Sequence, residues 1–424
     1  MLGDITEKIG MIFKDEALRN RLLFVFGALV VFRILAAIPI PGVDALQLQE
    51  FFSNNQFLGL LNIFSGGGLS NLSIVMIGVA PYITASIIMQ LLTVMVPKLK
   101  ALYSEEGEAG RKRFTQYSRL LTVPMAALQG FGFLVILQRG GIVDPLSFFE
   151  LVMNVSIITA GSVLLMWIGE LITEFGIGNG ISLIIFAGIV SRIPRTLQQL
   201  LYTFDVSQVP LYLGFLAAAV LVIAGVVIIT EAERPIPITY ARRVRGMKVY
   251  GGISTYLPLR MNQAGVMPII FALSILLFPQ MIFSFLSGIQ STFVNSMANA
   301  ILGFLNNNWI YASLYFILVF VFTYFYTAVT FDPDQISKNL QRSGAFIPGV
   351  RPGQNTSEYI GKILTRLTLV GASFLGIIAV LPLTMRAVTG IAAFAIGGTA
   401  LLIAVSVILD LVRRIESQLS IREY

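Results

Sequence analysis

The fold is decided by two neighbouring apolar stretches: residues 57–69 read FLGLLNIFSGGGL, and residues 72–96 read LSIVMIGVAPYITASIIMQLLTVMV. The second stretch carries no charge and is long enough to cross a bilayer as a helix. The first has only 13 residues, about 20 Å as a helix, and is too short to cross. A short segment is tolerated at membrane depth only inside protein or beside a water-filled cavity. We therefore predict a membrane protein with a re-entrant half-helix at 57–69. A surface helix lying flat on the outside is the alternative.

The composition of the whole chain supports a membrane protein. Of its 424 residues, 56% are hydrophobic and 12% are charged, whereas soluble domains are about 25% charged. The chain has no cysteine and no histidine. Disulfides and thiolate or imidazole metal sites are therefore excluded, and the usual general base is absent. Because the carboxylates are scattered, we predict neither a catalytic site nor a metal or cofactor site.

Ten apolar stretches match the length of a membrane span. Lys and Arg are concentrated in alternate connections, which together hold 24 of the 29 basic residues. Basic residues are enriched on the cytoplasmic side, so both termini are predicted to be cytoplasmic. Five spans precede the outer loop near residues 196–208 and five follow it, so the two halves have opposite orientations. We predict an all-α polytopic membrane protein with spans at 22–41, 72–96, 119–138, 151–173, 180–195, 209–230, 264–287, 309–331, 364–383 and 387–411.

This topology divides the chain into five parts. The first, residues 1–21, has four apolar side chains on one helical face and is predicted to be an amphipathic cytoplasmic segment, with a loosely ordered tail as the alternative. The others are an N-terminal half (22–195), an external hinge loop (196–208), a C-terminal half (209–411) and a cytoplasmic tail (412–424).

Two cytoplasmic loops in the C-terminal half, 231–262 and 332–362, are longer than simple connections require. The first alternates apolar and polar residues around Arg245-Gly246, which predicts a β-hairpin with a basic tip. In the second, Asp332 is suited to cap a helix, and a Pro- and Gly-rich turn follows that presents Arg351. These loops favour a docking surface for a large or acidic partner. Ordinary positive-inside anchoring would explain the charges but not the structure.

Few ionisable residues lie inside the predicted spans, which counts against an ion pump or a proton-coupled transporter. Glu170 is the most interior of them. We expect it to pair with backbone or a neighbouring polar group near the inner interface, and not to move protons. The Gly-rich run at 176–180 precedes a span and lacks Lys, so a tight bend is favoured over phosphate binding.

Seven motifs occur in order along the whole chain: IPIPG at 38–42, NIFSGG at 62–67, PYITASIIMQ at 81–90, an acidic-to-basic run at 106–113, GIGNGIS at 176–182, GAFIPGVRPG at 344–353 and TRLT at 365–368. Together they resemble the SecY family, the pore subunits of the bacterial protein-conducting channel. The resemblance implies a multi-pass protein of the bacterial cytoplasmic membrane. Such a channel passes secretory proteins across the membrane and releases transmembrane segments sideways into lipid.

The resemblance also implies roles for particular residues. The half-helix would be a plug that closes the outer funnel, with Phe57, Leu60, Asn62, Ile63, Phe64, Ser65 and Gly66 in it. A central ring of aliphatic side chains would seal the pore by dewetting while stretching around a polypeptide. The residues that match this ring are Val79, Ile83, Ile181, Ile185, Ile270 and Ile403.

A lateral gate would open between the second and seventh spans, with Thr84 and Phe278 facing each other. Arg243, Lys248 and Arg351 match positions that dock the motor protein SecA and the ribosome, where phosphate contacts to ribosomal RNA suit basic residues. The implied partners are SecE, SecG, SecA, the ribosome, secretory preproteins with their signal sequences, and membrane lipid. The residues alone leave two other classes open: a small-solute secondary transporter with inverted repeats, and a membrane insertase or protease scaffold.

Overall fold

The computed structural model is mainly helical and divides into two compact units. It describes residues 14–41, 65, 67–104, 106–139, 141, 143–191, 193–194, 198, 202, 209–240, 243–245, 248–250, 254–287, 292–389 and 392–423. The first unit takes its described residues from 1–212, 273–307 and 407–424, and the second takes them from 213–272 and 308–406.

The first unit is built on helices from the N-terminal part of the chain. They are α1 (Glu16–Leu35), α2 (Ala80–Met95), α3 (Pro97–Ser104), α4 (Gly107–Arg139), α5 (Phe148–Phe175) and α6 (Gly180–Val190). Side chains at the N-cap positions determine where two of these helices begin. The Asp15 carboxylate accepts from the backbone N–H of Ala17 at 3.0 Å and begins α1, and a reciprocal Ser147–Glu150 capping box begins α5. Helix α2 packs against α4, and α4 packs against α5.

The second unit combines membrane helices with a small sheet. Its elements are α7 (Val209–Glu231), β1 (Glu233–Tyr240), β2 (Arg243–Arg245), β3 (Lys248–Tyr250), β4 (Ser254–Arg260), α10 (Asn308–Thr330), α11 (Pro333–Arg342), β5 (Ala345–Phe346) and α12 (Gln354–Thr389). Helices α8 (Met267–Leu286), α9 (Thr292–Asn306) and α13 (Ala392–Glu423) complete the chain. Helix α10 packs closely on α12, where a Cβ on Gly376 would lie 2.7 Å from the Phe316 ring.

All ten predicted spans fall on helices, namely α1, α2, α4, α5, α6, α7, α8, α10, α12 and α13. Within the described part of the chain, five helices are individually long and apolar enough to cross a membrane: α4, α5, α7, α10 and α12. The number rises to six if α2 and α3, which meet at a 114° bend, count as one broken span. The all-α multi-pass prediction is therefore confirmed.

Several boundaries differ from the predictions; α12, for example, begins at Gln354 and not at residue 364. The second span was predicted from residue 72, but its helix begins at Ala80, because Leu72 and Gly78 both adopt positive φ and interrupt helical geometry. Helix α4 begins at Gly107, well before the predicted 119, because its basic first turns extend beyond the apolar run. The predicted outer loop after residue 287 contains an additional helix, α9, whose 15 residues are too few to match a membrane span.

Candidate functional site

Backbone pairing holds together the two ends of the segment that carries the predicted half-helix. The Ile40 N–H donates to the Leu72 carbonyl at 2.8 Å, and the Ile74 N–H donates to the Ile38 carbonyl at 3.0 Å. The Asn71 amide also donates to the Ala36 carbonyl at the end of α1, at 3.3 Å. The two ends of the segment therefore meet at one place, which we call the clasp (residues 38–40 and 72–74). The IPIPG motif forms one side of the clasp.

Most of the predicted half-helix lies outside the described residues: Phe57, Leu60, Asn62, Ile63, Phe64 and Gly66. Ser65 is described and is fully buried, and its hydroxyl accepts from the Leu69 N–H at 3.0 Å. Gly67 follows with φ of +86°, and a Cβ placed there would lie 3.8 Å from the Arg33 guanidinium. The C-terminal end of the segment is thus packed inside the first unit, beside the last turn of α1.

Residues 72–78, which lead from the clasp to α2, are irregular and mostly buried. Leu72, Val75 and Met76 are almost completely inaccessible. A Cβ on Gly161 of α5 would lie 2.1 Å from the Ile74 carbonyl, so this stretch lies directly against the α5 backbone. Irregular backbone at membrane depth needs such protein cover, because lipid offers no hydrogen-bond partners.

Four residues of the predicted ring lie in the first unit, as two pairs spaced one helical turn apart. Val79 is the N-cap residue of α2 and Ile83 follows four residues later, and both are buried. Ile181 and Ile185 have the same spacing on α6, where Ile185 is inaccessible and Ile181 is half-buried. The Ile181 Cδ1 atom lies against Gly169 of α5.

The other two predicted ring residues lie in the second unit. Ile270 on α8 and Ile403 on α13 are both buried. All six positions are therefore aliphatic residues on described helices or at a helix cap, and five of the six are buried.

The GIGNGIS motif forms the tight bend predicted between α5 and α6. The Asn179 side chain caps α6 by accepting from the N–H groups of Ile181 and Ser182 at 3.1 and 3.3 Å. Gly178 has φ of +92°. Gly180 sits where α6 approaches α5 most closely, since a Cβ there would lie 1.9 Å from the Gly169 carbonyl oxygen. The motif is therefore explained by packing and not by ligand binding.

The two predicted gate residues are both described, on α2 and α8. The Thr84 hydroxyl donates to the Ala80 carbonyl at 3.0 Å and accepts from the Gln129 side chain of α4 at 3.3 Å. Phe278 is half-buried and directly precedes Pro279 within α8. Gln129 was missed by the sequence analysis, although an amide inside an apolar span is a recognisable signal for an interhelical hydrogen bond.

Glu170 has the polar neighbour that was expected. Its carboxylate accepts from the Arg119 side chain at 2.6 Å, which joins α5 to α4. The Glu170 side chain is 18% exposed and that of Arg119 is 43% exposed. The prediction of a paired carboxylate is confirmed, and the partner comes from another helix 51 positions away in sequence.

Removing one charge of this pair should destabilise the protein. We expect Arg119→Gln to lower the free energy of unfolding by about 1–3 kcal/mol, because it leaves a largely buried carboxylate without a counter-charge. The double variant Arg119→Gln with Glu170→Gln should recover most of the loss. The measurement is denaturant unfolding of both single variants and the double variant. Strictly additive effects would show that the two side chains are not coupled.

The two predicted cytoplasmic loops fold together in the second unit. Strands β1 and β4 pair antiparallel, β2 and β3 continue that hairpin to its tip, and β5 from the later loop pairs with β1. An apolar cluster joins the loops through Ile236, Leu259, Ile347, Ile360 and Ile363. We call the hairpin and the turn at 347–353 the basic surface. The hairpin prediction is confirmed, whereas the sheet that joins the loops was not foreseen.

The helix and turn predicted in the second loop are confirmed. Asp332 caps α11 by accepting from the Asp334 N–H at 2.9 Å, with Pro333 as the first helical residue. The Ser337 hydroxyl of α11 donates to the Gly353 carbonyl of the following turn at 2.6 Å. The Arg351 side chain is exposed. The turn is therefore attached to α11 by a hydrogen bond while its cation remains accessible.

The other two predicted docking residues lie at the hairpin tip. Arg243 is on β2 and Lys248 is on β3, where Lys248 pairs directly with Arg245. Arg243, Arg245 and Lys248 therefore occupy neighbouring positions of the short β2–β3 ladder. Three cationic residues in so short a segment favour an anionic partner.

Comparison with known proteins finds relatives that all carry the same description. The family model SecY matches residues 73–412. Protein translocase subunit SecY of Mycobacterium bovis is 42% identical over 427 residues, with 96% of each chain covered. The protein of the same description from Corynebacterium glutamicum is 44% identical, also with 96% of each chain covered.

Two solved structures share the fold. One is described as a protein conducting channel; it has a TM-score of 0.65 and 19% identity, and the match covers 94% of this chain and 92% of the other. The second is Sec61 in the canine ribosome-channel complex from the endoplasmic reticulum, with a TM-score of 0.62, 17% identity and the same coverage. At these identities the likeness concerns the fold.

Proposed function

The chain belongs to the SecY family of protein translocase subunits, and we propose that it forms the pore through which unfolded secretory proteins cross the membrane. It is a multi-pass membrane protein and a subunit of a protein-conducting channel. In the same proposal, transmembrane segments leave the pore sideways into lipid.

The observation that carries this proposal is that two helices of the first unit, α2 and α6, each carry two aliphatic residues one helical turn apart. Val79 and Ile83 repeat at helical spacing on α2, and Ile181 and Ile185 do so on α6. With Ile270 and Ile403 they would form a ring without a polar group. Such a ring resists water and ions by dewetting, yet its side chains can separate around a polypeptide. A small-solute transporter would need convergent polar groups at this place instead.

The clasp gives the proposed plug a physical basis. The two ends of this segment are joined by backbone hydrogen bonds between residues 38–40 and 72–74, so the connection to the flanking helices is fixed at one place. We propose that residues 57–69 close the outer side of the pore at rest and leave it when a polypeptide enters. Thr84 and Phe278 would line the lateral opening between the second and seventh spans.

The basic surface is the proposed docking site for the partner that supplies energy. Arg243, Lys248 and Arg351 would contact SecA or the ribosome, whose RNA phosphates attract cationic side chains. SecE and SecG are the proposed accompanying subunits. The positive-inside rule then puts this surface and both termini in the cytoplasm, with the chain in the bacterial cytoplasmic membrane. The chain itself is proposed to be non-catalytic and to depend on ATP hydrolysis by SecA, on translation or on the membrane potential.

A photocrosslinker at Ile185 tests the pore. A secretory precursor is stalled in transit with SecA and ATP present, and we expect Ile185 to crosslink to the mature region of the precursor. The matched control is Leu171 on the neighbouring helix α5, which is 43% exposed on the outside of the unit and should crosslink only lipid. Absence of a crosslink at Ile185, in protein shown to bind SecA, would reject the ring and reopen the transporter alternative.

A further inference from the structure

Helix α9 (Thr292–Asn306) presents three different faces. One face is buried against the protein, through Ala298 and Leu305. A second is exposed and apolar, with Phe293 77%, Met297 43% and Phe304 56% accessible. These three residues, with Ala300 between them, repeat at intervals of three and four and form one stripe along the helix.

The third face is polar and uncharged. Asn299 is exposed, and its side-chain NH2 group donates to the side-chain oxygen (Oδ1) of Asn295 one turn earlier. Ser296 is also exposed on this side. By helical geometry the polar face is separated from the aromatic stripe and from the buried residues by about one third of the helix circumference each. The three faces of α9 therefore suit three different surroundings: the protein interior, an apolar medium and water.

The chain around α9 connects it to the membrane. No charged residue occurs anywhere from 261 to 331, a run of 71 residues. Helix α9 ends at Asn306 and the span α10 begins at Asn308, so the end of α9 is at the level where the chain enters the bilayer. Trp309, in the first turn of α10, is 66% exposed, and tryptophan is enriched at this level of membrane proteins.

We propose that α9 is an interfacial helix whose stripe of Phe293, Met297 and Phe304 lies in the lipid headgroup region, at the end of α10 opposite the basic surface. The asparagine face is turned to water. We take lipid as the occupant because only Asn307 separates α9 from the membrane span α10, whose apolar residues Ile317 and Val321 are exposed. Because α9 carries no charged residue, its apolar face can enter the acyl boundary without any charged group leaving water. The inference is independent of what passes through the channel.

The absence of cysteine from the chain allows a direct test. Single-cysteine variants Phe304→Cys and Asn299→Cys are made in the full chain, labelled with an environment-sensitive fluorophore, and reconstituted with the other translocase subunits into phosphatidylcholine–phosphatidylglycerol vesicles. Quenching is measured with lipids that carry a nitroxide near the acyl boundary, and separately with aqueous iodide. The two positions are on the same helix and are both exposed, so each is the control for the other.

We expect position 304 to be quenched by the nitroxide lipid at least about threefold more strongly than position 299, with the order reversed for iodide. A label at 304 that iodide quenches as strongly as at 299 would mean that the stripe faces water, and would overturn the proposal. Protection of 304 from both quenchers would mean that a protein covers the stripe, and would also overturn it. Phe293→Cys, at the other end of the stripe, should behave like 304 and shows whether α9 lies parallel to the interface.

Discussion

Gly180→Ala should destabilise the protein by about 1–3 kcal/mol or prevent it from folding, because the added methyl group has no space. Its Cβ would lie 1.9 Å from the Gly169 carbonyl oxygen and 2.8 Å from the Ile172 Cβ. The Gly169 carbonyl oxygen belongs to the backbone, so no change of side-chain rotamer can relieve this clash. The Gly180 N–H also donates to the Thr173 hydroxyl at 2.9 Å, and separating the helices would lengthen this bond.

The matched control is Gly214→Ala on α7, where nothing lies within 4 Å of the added Cβ. Alanine is favoured over glycine inside a helix, so this variant should be neutral or slightly more stable. The readouts are the yield of folded protein and the denaturation midpoint in detergent. Equal behaviour of the two alanine variants would show that α5 and α6 can separate without cost, and would remove our explanation of the GIGNGIS motif.

Arg351→Glu should reduce protein translocation at least about tenfold while leaving the helical bundle intact. Arg351 is exposed on a turn whose backbone is held by hydrogen bonds from Ser337 and Thr356. Replacing its cation therefore changes what the surface presents and not how the turn folds. Charge reversal at a contact with an anionic partner replaces attraction by repulsion, which weakens docking by several kcal/mol.

The control is Lys362→Glu, the same change of charge at an exposed position of α12. Translocation of a precursor into vesicles, SecA binding at several salt concentrations and thermal denaturation are measured for both variants. We expect Arg351→Glu to lose binding with an unchanged denaturation midpoint, and Lys362→Glu to keep most of its activity. Normal translocation by Arg351→Glu would exclude this residue from the docking site.

Several features of the site depend on residues that are distant in sequence. Glu170 was recognised as an interior carboxylate, but its partner Arg119 was counted only among the basic residues of a loop. Thr84 was recognised without Gln129. The clasp joins residues more than thirty positions apart, and neither side has the alternating pattern of a strand. In each case the sequence pointed to one partner. The identity of the other partner depends on how distant segments of the chain pack together.

The sequence by itself determined the ten helical spans, the hairpin, the cap at Asp332 and the bend at 176–182. These features follow from interactions within a few residues, such as apolar length, alternation, capping and positive φ at glycine. Only the tertiary structure decided that the two basic loops share one sheet and one apolar cluster, and that α9 has an exposed aromatic stripe. The physical reason is that burial and strand pairing between distant segments depend on where the rest of the chain lies, which no local pattern records.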